Sequence, residues 1–115
     1  MKLTKKEDAK LNRVYLSGVV VEKPTVNCIA EKPLHVEFTL QIRHKRADGK
    51  WKKEQYMVHC WNRLAEWAEK FLEKGKLVSV EGRLIQRSGV TVAAREIILG
   101  EPVKLDRVDS DVIAE

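Results

Sequence analysis

Between Arg43 and Trp61 the chain reads RHKRADGKWKKEQYMVHCW. Arg43, Lys45, Arg46, Lys50, Lys52 and Lys53 stand here against only Asp48 and Glu54, with Trp51 and Trp61 set among them. The local excess of four positive charges makes up most of the chain's formal +5, and two of its three tryptophans share the stretch. Cations neutralise phosphates and exposed indole faces stack on bases, so this mixture suits a single-stranded nucleic acid. A hairpin of lysines kept only for solubility is the plainer alternative. Which one holds depends on where the surrounding elements aim these side chains.

Strict alternation runs through LHVEFTLQIRHKR, with Leu34, Val36, Phe38, Leu40 and Ile42 on one side. His35, Glu37, Thr39, Gln41 and Arg43 take the other side, the pattern of a half-buried strand. Asp48-Gly49 is a hairpin turn signal. The returning strand puts Tyr56, Val58 and Cys60 inward, so Lys53, Gln55, Met57, His59 and Trp61 must face outward. Trp61 and Trp51 share that outward parity. The basic cluster, Gln55, His59 and Trp61 therefore fall on or beside one sheet face.

The remaining elements follow in order. NRVYLSGVVVEKP predicts a first strand from Asn12, with Gly18 marking a bend and Pro24 a stop. KPTVNCIAEKP, residues 23–33, reads as a loop between prolines. Asn62 is a favoured helix N-cap, and Gly75 follows a stripe of Leu64, Trp67, Ala68, Phe71 and Leu72. KLVSVEGRLIQR predicts a fourth strand with Val78, Val80 and Leu84 inward and Arg83 and Arg87 outward. Ser88-Gly89 turns the chain into a fifth strand, VTVAAREIILGEPVKL. Three strands, a helix and two strands is the order of an all-β, five-stranded OB barrel whose helix plugs one end. We expect residues 12–105 to form that domain, residues 1–11 a loose arm, and residues 106–115 a short acidic tail.

Bulk properties narrow the function. At 115 residues there is room for one domain with a real core. The sequence pI of about 9.3 suits a polyanionic partner. No apolar run reaches the roughly 20 residues of a membrane span, and the charged start carries no leader pattern, so a cytoplasmic location is expected. Cys28, His35, His44, His59 and Cys60 lack a zinc-type spacing, and adjacent His59 and Cys60 project to opposite faces; no metal or other cofactor is expected. Without a phosphate loop, nucleophile elbow or placed acidic pair, no enzyme chemistry is expected either.

Several stretches are also similar to a known family. NRVYLSGVV, VHCWNRLAEWAEKFLEKGKLVSVEGRL and AAREIIL resemble the bacterial and organellar single-stranded DNA-binding proteins over about residues 12–101. The most specific part is the pattern from Trp61 to Leu84. The resemblance implies an OB fold that binds single-stranded DNA without sequence preference in replication, recombination and repair. It also implies a homo-oligomer, a tetramer more than a dimer, with bacterial members acting at the nucleoid. Trp61 matches the family aromatic ahead of the helix. Elsewhere the chain departs from the pattern: Arg46 stands near a usual loop aromatic, Gln55 near a strand aromatic, and a long hairpin is cut to Ser88-Gly89.

Trp51 is a further stacking candidate that the resemblance does not supply. Full-length bacterial members carry a Gly/Pro/Gln-rich tail with an acidic tip, whereas this sequence closes on DSDVIAE. NRVYLSG and PLHVEFTLQIR also resemble primosomal replication protein N, a tail-less dimeric relative. That implies an alternative: an adaptor that holds DNA while docking replication or primosome proteins. A protein-interaction OB domain and an RNA-binding one remain as further readings. The expected contacts are Trp61, Trp51, Arg43, Lys45, Arg46, Lys50, Lys52, Lys53, His59 and Gln55, extended by Arg83 and Arg87 on the fourth strand. Tyr15 and Val19, outward on the first strand, are the expected interface between copies.

Overall fold

The alternation in the sequence becomes a closed barrel in the computed structural model, which describes residues 11–100. Its elements are β1 (Val14–Val20), β2 (Thr25–Ile29), β3 (Lys32–Lys45), β4 (Trp51–Trp61), α1 (Asn62–Phe71), β5 (Leu77–Gln86) and β6 (Val90–Leu99). The sheet order is β1-β5-β6-β4-β3-β2, and β1 also pairs with β3. That extra pairing closes five strands into a ring and leaves β2 as a flap on the outside of β3. With one helix between β4 and β5, this is the expected OB architecture. Residues 1–10 of the expected arm, and residues 101–115 with the end of the expected domain and the expected tail, lie outside the described residues.

The core is filled by the inward parity set. Val36, Phe38 and Leu40 of β3 meet Val58 and Cys60 of β4, Val20 of β1, Val78 and Val80 of β5, and Val92 of β6. Ala65, Ala68 and Leu72 bring α1 onto this cluster. Leu40 is fully buried at its centre, and truncation to alanine there costs about 2–5 kcal/mol. Closing so small a ring forces strands to cross closely. A Cβ on Gly18 would collide with the carbonyl oxygen of Gln41, and one on Gly82 with that of Ala93. Gly18 therefore marks the bend at which β1 leaves β5 for β3.

Four details differ from the sequence expectation. First, residues 25–29 are a strand and not a loop: β2 folds back on β3 through Ala30 and Glu31, both with positive φ. Pro33 is tolerated because β4 pairs with β3 only from His35 onward, so Pro33 has β2 alone as a neighbour. Second, β1 starts at Val14; Asn12 instead uses its side chain like a strand, bonding both the N–H and the carbonyl of Leu84 at 2.9 and 3.0 Å.

Third, Asn62 does not cap α1 through its side chain. Trp61 holds the cap position in extended conformation, and Asn62 itself turns with φ 57°, a region asparagine tolerates. The buried helical stripe uses Ala65 in place of Phe71, which is 46% exposed and lies against Trp67. Fourth, where Glu81↔Glu96 gives way to Gly82↔Ala94, Arg95 of β6 is left unpaired as a one-residue bulge. Leu84, expected inward, is 43% exposed, whereas Ser79, expected outward, is buried between Ser17 Oγ and the Gly100 carbonyl.

Candidate nucleic-acid interface

The β3–β4 pair runs in unbroken register from His35↔Trp61 to Lys45↔Trp51. Unbroken register keeps every second residue on one face. The outer row of β4 is thus Trp61, His59, Met57, Gln55, Lys53 and Trp51. Facing it on β3 are His35, Glu37, Thr39, Gln41, Arg43 and Lys45. At about 3.4 Å per residue the two tryptophans stand roughly 34 Å apart along the strand. Gln55 Nε2 donates to Gln41 Oε1 at 3.1 Å in the middle of the row.

One end of the row is packed. Trp61 lies 5.3 Å from the His35 ring and 5.7 Å from the His59 ring, and the Arg87 guanidinium is 5.8 Å from its centroid. His59 keeps the expected face but is only 5% exposed, because Trp61, His35 and Glu37 cover it. Such burial leaves His59 little surface for a direct contact, and its ring packs against that of Trp61. Burial holds its ring below the ordinary histidine range, helped by neighbouring His35 and Arg87 and opposed by Glu37. A neutral His59 adds no cation to the face. On the reverse side of β4, burial pushes the Cys60 thiol up to about 12.

The other end is open. Trp51 is 58% exposed, with the Arg43 guanidinium 5.0 Å from its ring centroid. The hairpin below it is tied by Lys50 N–H to Asp48 Oδ1 at 2.9 Å and by Arg46 N–H to the Lys50 carbonyl at 2.7 Å. Not all expected cations stay with the row. Lys52 shares parity with Glu54 and Tyr56, so it projects to the opposite side and pairs with Glu54 at 3.7 Å. Arg46 pairs with Asp48 at 3.6 Å. Tyr56 Oη donates to Glu54 Oε1 at 2.6 Å, which holds the Glu54 carboxyl below its usual range, with His44 adding to the effect. Arg43, Lys45 and Lys53 are the cations of the row itself, with Lys50 in the turn.

Trp61 also borders a groove of about 350 Å³ lined by Arg13, Arg83, Arg95, Glu81, Ala93 and Ala94 among others. Arg13 is 3.5 Å from Glu81. This groove joins Arg83 of β5 to the Trp61 end, and Arg87 reaches the same ring from the β5–β6 turn. Arg13 and Arg95 were absent from the expected contacts, since neither adjoins the basic cluster in sequence. His35 was recognised only as an outward polar residue. Its signal lay in the pairing of β3 with β4, and that pairing also brings His35, Glu37 and His59 together as potential metal ligands.

A five-stranded ring of this order, capped by a helix after its fourth element, places the chain among the OB-fold proteins. Residues 11–99 match the model of the Single-strand binding protein family, and the chain belongs to that family. The single-stranded DNA-binding protein of Aquifex aeolicus is 37% identical over 81 residues, which are 66% of this chain and 54% of that protein. The wild-type single-stranded DNA-binding protein from Thermus aquaticus superposes with a TM-score of 0.67 at 26% identity, over 81% of this chain and 52% of that one. This chain thus spans about half the length of both. The small single-stranded DNA-binding protein from Streptomyces coelicolor gives a TM-score of 0.64 at 23% identity, over 80% of this chain and 96% of that one, a likeness of fold. No helix among the described residues is long and apolar enough to cross a membrane.

Proposed function

We propose that the chain binds single-stranded DNA with little regard to base sequence, and so protects exposed strands during replication, recombination and repair. The observation that carries this is the outer row of β3 and β4, which sets Trp61 and Trp51 among Arg43, Lys45 and Lys53 on one face. Base stacking needs only a π-face, so preference among sequences is weak. The names borne by the relatives support DNA as the ligand. Arg83, Arg87 and Arg95 extend the path past Trp61. The role is that of a binding module of the cytoplasm, working where the nucleoid exposes single strands.

We further infer self-association, into tetramers more than dimers. Tyr15, 67% exposed, shares an outer patch with Val19, Leu77 and Ile98, all of them apolar and open to solvent. Sedimentation at micromolar concentration tests this part, and a monomer alone overturns it. Titration with oligo-dT, followed by tryptophan fluorescence at low salt, tests the binding. Quenching is expected because Trp61 and Trp51 line the path; its absence overturns the proposal. Stronger binding to oligo-U than to oligo-dT would move the ligand to RNA.

A further inference from the structure

The register that builds the outer row also gathers three ligand side chains at one point on it. Glu37 lies directly opposite His59, and His35 is two residues back on the same strand, so all three share a face. One donor atom from each lies within 4.8 Å of the others. His35 Nε2 and His59 Nδ1 are 2.8 Å apart, and His59 Nδ1 is 3.8 Å from Glu37 Oε1. We propose that His35, Glu37 and His59 form a binding site for one divalent transition-metal cation of the Zn²⁺ and Co²⁺ class.

Two imidazoles and a carboxylate are a donor set these ions accept, whereas Mg²⁺ and Ca²⁺ prefer oxygen alone. Two nitrogens each about 2.0–2.1 Å from a tetrahedral ion sit roughly 3.3 Å apart. The histidine pair therefore needs to open by only about half an ångström, within reach of small side-chain rotations. The site also has outer support. Asn27 Nδ2 lies 2.9 Å from His35 Nδ1. Turning that amide over presents Oδ1 to accept an Nδ1–H, the tautomer that frees Nε2 to bind metal, and such a partner is usual for a ligating histidine. Burial of His59 beneath Trp61 shields the site from one side, while the Glu37 side chain stays 34% exposed. Arg87, above Trp61, is the nearby charge that opposes a cation, and Glu37 is the one that favours it.

Sequence spacing hides the site because its two histidines are 24 residues apart and meet only through the β3–β4 ladder. The inference rests on these side chains and not on the DNA reading. Zn²⁺ titrated into the full chain by calorimetry should bind one ion per chain. His35→Ala should weaken binding by about tenfold or more, while His44→Ala and Cys28→Ser leave it unchanged. Because loss of buried His59 can disturb folding, ring-nitrogen NMR of the unsubstituted chain supplies a second readout. Zn²⁺ should shift the His35 and His59 rings together and spare His44. No binding at millimolar Zn²⁺, equal loss in His44→Ala or Cys28→Ser, or a shift centred on His44 each overturns the proposal. A chain that binds Zn²⁺ but not oligo-dT loses the DNA reading alone, and the converse loses only this one.

Discussion

At one end of the β3–β4 face Trp61 rests on two histidines under an arginine; at the other, roughly 34 Å away, Trp51 has only Arg43 for company. Both tryptophans face outward from the same strand. The difference lies in what fixes them. Trp61 sits where β4 gives way to α1 and packs over buried His59, so its ring is already ordered before any ligand arrives. Trp51 starts a strand beside a turn and must lose rotamer freedom on stacking. Equal contact area therefore gives unequal affinity, because ordering a side chain at an interface costs about 0.5–1.5 kcal/mol.

The largest contrast tests whether the Trp61 end is closed. Cys60 lies beside Trp61 on the reverse face, fully buried, with its thiol pushed from 9.0 up to about 12. Near pH 8 its thiolate fraction is thus about a thousandfold below that of an ordinary cysteine. A thiol reagent should modify exposed Cys28 readily and Cys60 only on unfolding. Mass mapping of the labelled site decides it. Fast labelling of Cys60 in the folded chain would mean that this end opens freely, and the claimed order of Trp61 would fall with it.

Next in size is the direct comparison of the two rings. Trp61→Ala should weaken oligo-dT binding by about 1–3 kcal/mol at every salt concentration. Trp51→Ala should cost less, about 1 kcal/mol or below, since part of its stacking energy goes into ordering the ring. Fluorescence anisotropy with a labelled oligo-dT measures both. If Trp51→Ala proves the more damaging, the hairpin end is the principal platform and the comparison is inverted.

How much of this was legible in the sequence depended on whether local periodicity or pairing carried the information. Period two along residues 34–42 and 55–61 placed Val36, Phe38, Leu40, Val58 and Cys60 inside and Trp61 outside, as found. The same rule already placed Lys52 off the face, but counting charge by stretch obscured it. Closure of the barrel was not local. The bulge at Arg95 of β6 shows only in its pairing with β5, and β2 needed β3 as a template before Thr25–Ile29 could be a strand. The His35–Glu37–His59 cluster and the Arg95 side of the groove likewise exist only once strands are registered. Residues that share a strand could be assigned from spacing. Residues that meet across strands could not.

The smallest effect separates the cations by the face they occupy. Lys53 shares the outer row with Arg43, opposite it in register, and has no carboxylate within ion-pair distance among the described residues. Lys52 points to the other side and is matched by Glu54 at 3.7 Å. Each phosphate neutralised on a single strand contributes about −0.7 to the slope of log K against log salt. Lys53→Ala should therefore flatten that slope by about 0.7 while sparing the high-salt affinity that stacking supplies. Lys52→Ala should barely move it, because the lysine already has a counter-charge and faces away from the row. Oligo-dT titrations over a range of salt concentrations separate the two. Equal flattening would place phosphates on both sides of the hairpin, so that DNA wraps its tip instead of following the β3–β4 face.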